Sequence, residues 1–355
     1  MSNAIDQSQK SGDSSVNNQA GRDILIQNGL VYNDVVGVAR KEAELVFSQN
    51  FLNLAEDAKM IATERADDFL NNFFKKILEQ SPSDFGFLRD PGMQLALYTA
   101  QKTYATTGDK NLADFLEDIL VQRVQNPKRG LLQIVIDECL NVVPKLTLEQ
   151  FDSLSLIYLI KYTVNSGLRN HKNLAAYFKE DLLPFINGIS LEQITYQHLE
   201  FASCGSLGLA GVPLTNVFLI NYQGLFVNGF TKEMLEERVG PFEKYQEIIG
   251  PCLNNTDLFQ FLFLNIEELE KIASENKIDH EDVEKIKALQ SSITMSDNEV
   301  LKLVIKICPE MEDFLEKWKQ SSLQRFSLTS VGIALAHANI SRKIGRQIDL
   351  KKWIK

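Results

Sequence analysis

"RGLLQIVIDECLNVVPKLTLEQFDSLSLIYLIKYTVN", residues 129–165, is the stretch whose reading decides the fold. It reads as two helices joined at Pro144–Lys145–Leu146. Proline lacks the amide hydrogen that an interior helical turn needs, so a helix stops there. Thr147 follows with Gln150 three residues on, the spacing at which a threonine hydroxyl and a glutamine amide cap a helix start reciprocally. Two helices with a short joint predict antiparallel neighbours, and the flanking sequence repeats the pattern.

Upstream, residues 33–80 contain no proline, and their apolar residues fall at helical steps, as in Val46, Phe47, Ala62, Phe69, Phe73 and Ile77. That stripe is broad enough to bury against other helices. Asn33 or Asp34 is the expected N-cap, and a break is expected near Ser48–Asn50, where polar residues interrupt the stripe. Residues 81–92 form a turn cluster rich in proline and glycine. The next helix ends at Gly108, and Asp109 caps the one after it. Residues 30–188 therefore read as an N-terminal helical domain, an antiparallel array with short connections. Residues 189–340 read as a second, mainly helical domain. Its glycine-rich segment 190–230 has room for short strands or for a helical hairpin with glycine-lined contacts. "LTSVGIALA", residues 328–336, has the layout of a strand, a turn and a final helix. It resembles the end of a winged-helix module, although any strand–turn–helix gives the same pattern.

The chain has 355 residues, a net charge of −10 and four cysteines. Its acidity argues against a partner bound through the nucleic-acid backbone. Cys139, Cys204, Cys252 and Cys308 show no CxxC and no histidine at metal spacing, as expected of buried thiols in a reducing cytoplasm. No apolar run reaches 18 residues and no secretory leader stands at the front, so a cytoplasmic protein without membrane spans is expected.

Catalytic signals are sparse. His171, His198, His280 and His337 are the only histidines. His280 lies in "DHEDVEK" without an HExxH, and acids there suit a helix N-terminus. "SCGSLGLAG" is neither a GxSxG elbow nor a P-loop. Cys204 and His198 would make a nucleophile–base pair only if the fold joined them, and a buried structural cysteine is the simpler reading. No catalytic residue, metal or cofactor is called for. The last fifteen residues, "SRKIGRQIDLKKWIK", carry six basic residues against one aspartate. With Trp353 and Ile354 interleaved they read either as a docked end of the fold or as a segment that lies on an anionic membrane or touches nucleic acid.

Residues 1–29 stand apart. Ser11–Gln19 and Ala20–Asn28 align as SGDSSVNNQ over AGRDILIQN, with glycine, polar, apolar and amide positions recurring. Glycine permits a tight corner, and like amides stack at strand spacing. Two such units are too few to hold a core alone. The expectation is a β-arch that self-associates through Gly12, Val16, Asn18, Gly21, Asp23, Ile24, Ile26 and Gly29. The competing reading is a disordered polar leader.

"GDSSVNNQAGRDILIQNGLVYNDV" (residues 12–35) resembles the signature GDxSxNxQAGxDIxIxxGLxYxDV of an uncharacterised bacterial family associated with phage defence. Residues 90–123, 142–163 and 328–340 are similar to that family too, and 142–163 and 328–340 faintly resemble helical abortive-infection proteins. The resemblance implies a role in anti-phage defence and carries over no catalytic residue. The expected function is a non-catalytic, homo-oligomeric assembly or sensor component. A second defence-system protein or a phage component stays open as a further partner. The alternative is a membrane-active effector that inserts "SLGLAGVPLTNVFLINYQGLFVNGF", residues 206–230, and the basic tail. The fold expected throughout is mainly α, a multi-helix array with the β-arch in front and small strands in the C-terminal half.

Overall fold

The computed structural model describes residues 32–50, 56–80, 86–346, 350 and 353–354. The first helices are α1 (Tyr32–Asn50), α2 (Glu56–Gln80), α3 (Pro91–Thr107), α4 (Lys110–Gln125), α5 (Leu131–Val142) and α6 (Leu148–Lys161). Their ends follow local chemistry. Thr147 and Gln150 form the reciprocal box at α6, with the Gln150 amide donating to Thr147 Oγ1 and the Thr147 amide to Gln150 Oε1, at 3.4 and 3.1 Å. Asp109 accepts from the amides of Asn111 and Leu112 at 2.9 and 3.2 Å. Gly108 ends α3 at φ +67°, a left-handed conformation that glycine adopts without strain. Asp90 caps α3 and Pro91 occupies its first turn, so the end of the expected turn cluster is helical. α1 is described from Tyr32, which puts Asn33 and Asp34 inside the helix rather than at its cap.

α6 is buried on all sides from Gln150 to Ile160. Such a helix belongs at the centre of a core. Its partner comes from the far end of the chain. The second half continues through α7 (His171–Ala176), α8 (Gln193–Phe201), β1 (Gly205–Leu207) and α9 (Leu214–Tyr222). It then forms α10 (Lys232–Arg238), α11 (Phe242–Tyr245), β2 (Ile249–Pro251), β3 (Phe259–Phe261), α12 (Ile266–Glu275) and α13 (His280–Ile293). It ends with α14 (Asp297–Ile307), α15 (Met311–Gln320), β4 (Phe326–Leu328) and α16 (Ser330–Ile344). The fold is mainly α, and the strands among the described residues lie in the C-terminal half. α16 is buried from Val331 to Ile340 and packs along α6. The 328–336 segment is thus a strand, a Thr329 cap and a central core helix.

β1 and β4 pair antiparallel, with Gly205 opposite Leu328 and Leu207 opposite Phe326. An exposed edge of so short a ladder would be open to other strands. α6 closes it: Lys161 Nζ donates to the carbonyls of Leu323, Gln324 and Phe326 at 3.1, 2.9 and 2.9 Å, and the Tyr162 hydroxyl accepts from the Leu328 amide at 2.8 Å. Burial pushes the Lys161 ammonium down to about 8, against three carbonyls that favour its charged form.

One apolar core runs from Phe69 to Ile354, and residues on both sides of position 188 share it. A second core, from Val227 to Ile293, belongs to an inserted module built from α10 to α13 and β2–β3. The chain enters and leaves that module side by side. Val227 bridges Thr294, the Met295 amide donates to Phe226 O at 3.0 Å, and the Asn228 amide to Ile293 O at 2.8 Å.

Between α2 and α4, Lys76 Nζ lies 3.1 Å from Glu117 Oε2 and 2.8 Å from Asp118 Oδ1. Glu117 is only 1% exposed, and burial outweighs Lys76's attraction, raising its carboxyl from the ordinary 4.5 to about 6. The folded protein therefore holds this proton more tightly than the unfolded chain. The stability it confers is present below pH 4.5 and is lost as pH rises through about 6, a loss of about 2 kcal/mol at 1.36 kcal/mol per pKa unit. Glu117→Gln, with Lys76 retaining Asp118, is expected to abolish that decline and to melt higher than the parent at pH 7.5. Thermal melts of both proteins between pH 4.5 and 7.5 check this.

Candidate functional site

α1 attaches to the body through a core of its own. Phe47, 3% exposed, sits in a socket of Ala62, Ala66 and Ala105, apart from the main core. Small residues at those three positions let an aromatic ring seat close to the backbones of α2 and α3. Leu45 and Val46 beside it stay exposed.

A cleft of about 560 Å³ opens beside this anchor, between α1, α2 and α3. Phe47 and Ala66 line it from the apolar side, and Gln101 contributes a buried amide. Gln101 Nε2 lies at a long 3.5 Å from Ala66 O, the limit of a hydrogen bond. Gln101 also borders a smaller space of about 40 Å³ lined by Val46, Leu88, Leu97 and Tyr98.

The charges of the cleft are sorted. Glu44 and Asp67 both turn to Arg40, at 3.3 and 4.0 Å. Lys41 from α1 and Lys59 from α2 face the same space, and neither meets a carboxylate among the described residues. None of these residues belongs to a sequence motif. The only signal was Gln101 itself, an amide one turn after Leu97 on the otherwise apolar face of α3.

The residues singled out from sequence fall elsewhere. Gly12, Val16, Asn18, Gly21, Asp23, Ile24, Ile26 and Gly29 all lie outside the described residues. Cys204 and His198 are not brought together as a pair. The Cys204 thiol meets the Ala202 carbonyl at 3.6 Å, and burial pushes it up to about 12, far from a thiolate at neutral pH. His198 Nδ1 lies 3.0 Å from Gln150 Nε2. His280 opens α13 beside Glu281 and Asp282, as a helix start favours. Among the described residues no three His, Cys, Asp or Glu side chains are grouped for a metal.

The described part of the basic tail docks on the body. Leu350 and Ile354 are buried in the main core, and Trp353 meets Tyr158 and Tyr162 edge-on at 5.7 and 6.2 Å. Lys343 pairs with Asp152 at 2.7 Å and Arg346 with Asp181 at 2.6 Å. Leu214, Val217, Phe218, Leu225 and Phe226, from the apolar stretch considered for insertion, are buried in the same core. Among the described residues no helix is long and apolar enough to cross a membrane.

A family model whose description reads ":-like" matches residues 29–354. No curated protein and no solved structure matches the chain.

Proposed function

This chain belongs to the family whose model spans residues 29–354, and we propose that it acts by assembly, as a non-catalytic oligomeric component of a bacterial anti-phage defence system. The observation that carries the reading is the doubled nine-residue pattern of residues 11–28, which ends where the family match begins. Such a segment gains its missing rungs from other copies of the chain and so draws the helical bodies together. The partners that Cys204 and His198 have instead, the Ala202 carbonyl and the Gln150 amide, and the high pKa of the Cys204 thiol also favour a role without nucleophilic catalysis. Light scattering on the full chain and on a chain beginning at Gly29 tests the proposal. The full chain is expected to be a defined oligomer and the shortened chain a monomer. Two monomers would remove the leader as the assembly element.

A further inference from the structure

We propose that the cleft between α1, α2 and α3 is a binding site for a small amphipathic anion, a molecule with an apolar body and one or two negative charges. The proposal stands apart from the assembly reading, since it uses none of residues 1–29.

The chemistry of the walls selects this class. A volume of about 560 Å³ is that of a small-molecule site. Leu45, which lines the cleft and is exposed, presents apolar surface that a ring or acyl chain would cover, beside the buried Phe47 and Ala66. Arg40 engages Glu44 and Asp67, which lowers the attraction those acids exert on a cationic ligand. Lys41 and Lys59 stay available to an anion and approach it from two different helices. Gln101, 1% exposed, closes the floor of the cleft, its amide held at a long 3.5 Å from Ala66 O.

The site also has a structural consequence. Among the described residues, Phe47 packs α1 against Ala62, Ala66 and Ala105 of the body. A ligand that touches Lys41 on α1 and Lys59 on α2 ties the two helices together. Binding favours the docked state of α1 by mass action.

The probe for the test is 1-anilinonaphthalene-8-sulfonate, which joins two aromatic systems to one sulfonate, used with the full chain. One molecule is expected to bind per chain with enhanced fluorescence, more weakly as salt rises. Hydrogen exchange in residues 32–50 is expected to slow on binding. Lys41→Ala/Lys59→Ala removes both cations and is expected to bind about tenfold more weakly, equivalent to about 1.4 kcal/mol. Neither lysine makes an ion pair among the described residues, so an unchanged melting temperature serves as the folding check. Absent fluorescence, or equal affinity in the double variant, overturns the proposal. So does binding that leaves exchange in residues 32–50 unchanged.

Discussion

Gly332→Ala is expected to destabilise the protein by about 3 kcal/mol, the upper end of the usual cost of forcing a methyl into a packed interior. By helix propensity alone the same change would gain about 1 kcal/mol, because Gly332 lies inside α16. Contact decides the sign. A Cβ at position 332 would stand 1.9 Å from the Cys204 carbonyl oxygen and 3.0 Å from its carbon. That oxygen belongs to backbone, so no side-chain rotation relieves the clash. It is also fixed, since it accepts from the Thr329 amide at 3.1 Å while the Cys204 amide donates to Leu199 O at 2.9 Å. Relief requires β1 and α16 to part, and that opens the β1–β4 pairing and the core beneath it. Gly37 in α1 is the control. A Cβ there meets nothing within 4 Å among the described residues, so Gly37→Ala is expected to gain about 0.5–1 kcal/mol from helix propensity. Urea midpoints of the two variants should move in opposite directions. A neutral Gly332→Ala would mean that β1 does not approach α16 as closely as described.

That contact also marks the limit of what the sequence could disclose. The helix ends were legible because their signals are local: Thr147 with Gln150, Asp109, and Gly108 each act within four residues. The strand β4, the Thr329 cap and α16 were legible as an order of elements for the same reason. Their meaning was not. β1 and β4 are three residues each, too short to show a two-residue period, and they pair across more than a hundred residues. The inserted module was hidden too, since its chain crossings at Val227 and Thr294 meet only in space. The cleft failed to show for a different reason. Lys41 and Lys59 look like any surface lysines until three helices set them around one space. Conversely, the leader carried the strongest pattern, and all eight of its chosen residues lie outside the described structure. The tail had three readings from sequence, a docked end, a membrane segment and a nucleic-acid contact, and Leu350, Trp353 and Ile354 decide for docking.

Asp152→Ala is expected to cost about 2–3 kcal/mol, in the range for leaving a buried donor without its acceptor. The α6–α16 seam is apolar along most of its length, and one polar cluster interrupts it. Asn339 Nδ2 donates to Asp152 Oδ1 and to Ser155 Oγ, both at 2.9 Å, and Lys343 Nζ donates to Asp152 Oδ2 at 2.7 Å. Asn339 is 1% exposed and Ser155 fully buried, so water does not replace a lost partner there. Lys343, by contrast, has a side chain 35% exposed and can turn to solvent when its carboxylate is gone. The cost of Asp152→Ala therefore falls mainly on the amide of Asn339, left with Ser155 alone. Asp152→Asn separates the two contributions. It keeps an acceptor for Asn339 and discards only the charge that faces the half-exposed lysine, so about 1 kcal/mol is expected. The comparison is read from urea midpoints at constant slope. Equal losses for the two variants would place the stabilisation in the Lys343 ion pair. A loss confined to alanine places it in the buried amide that fixes how α16 registers against α6.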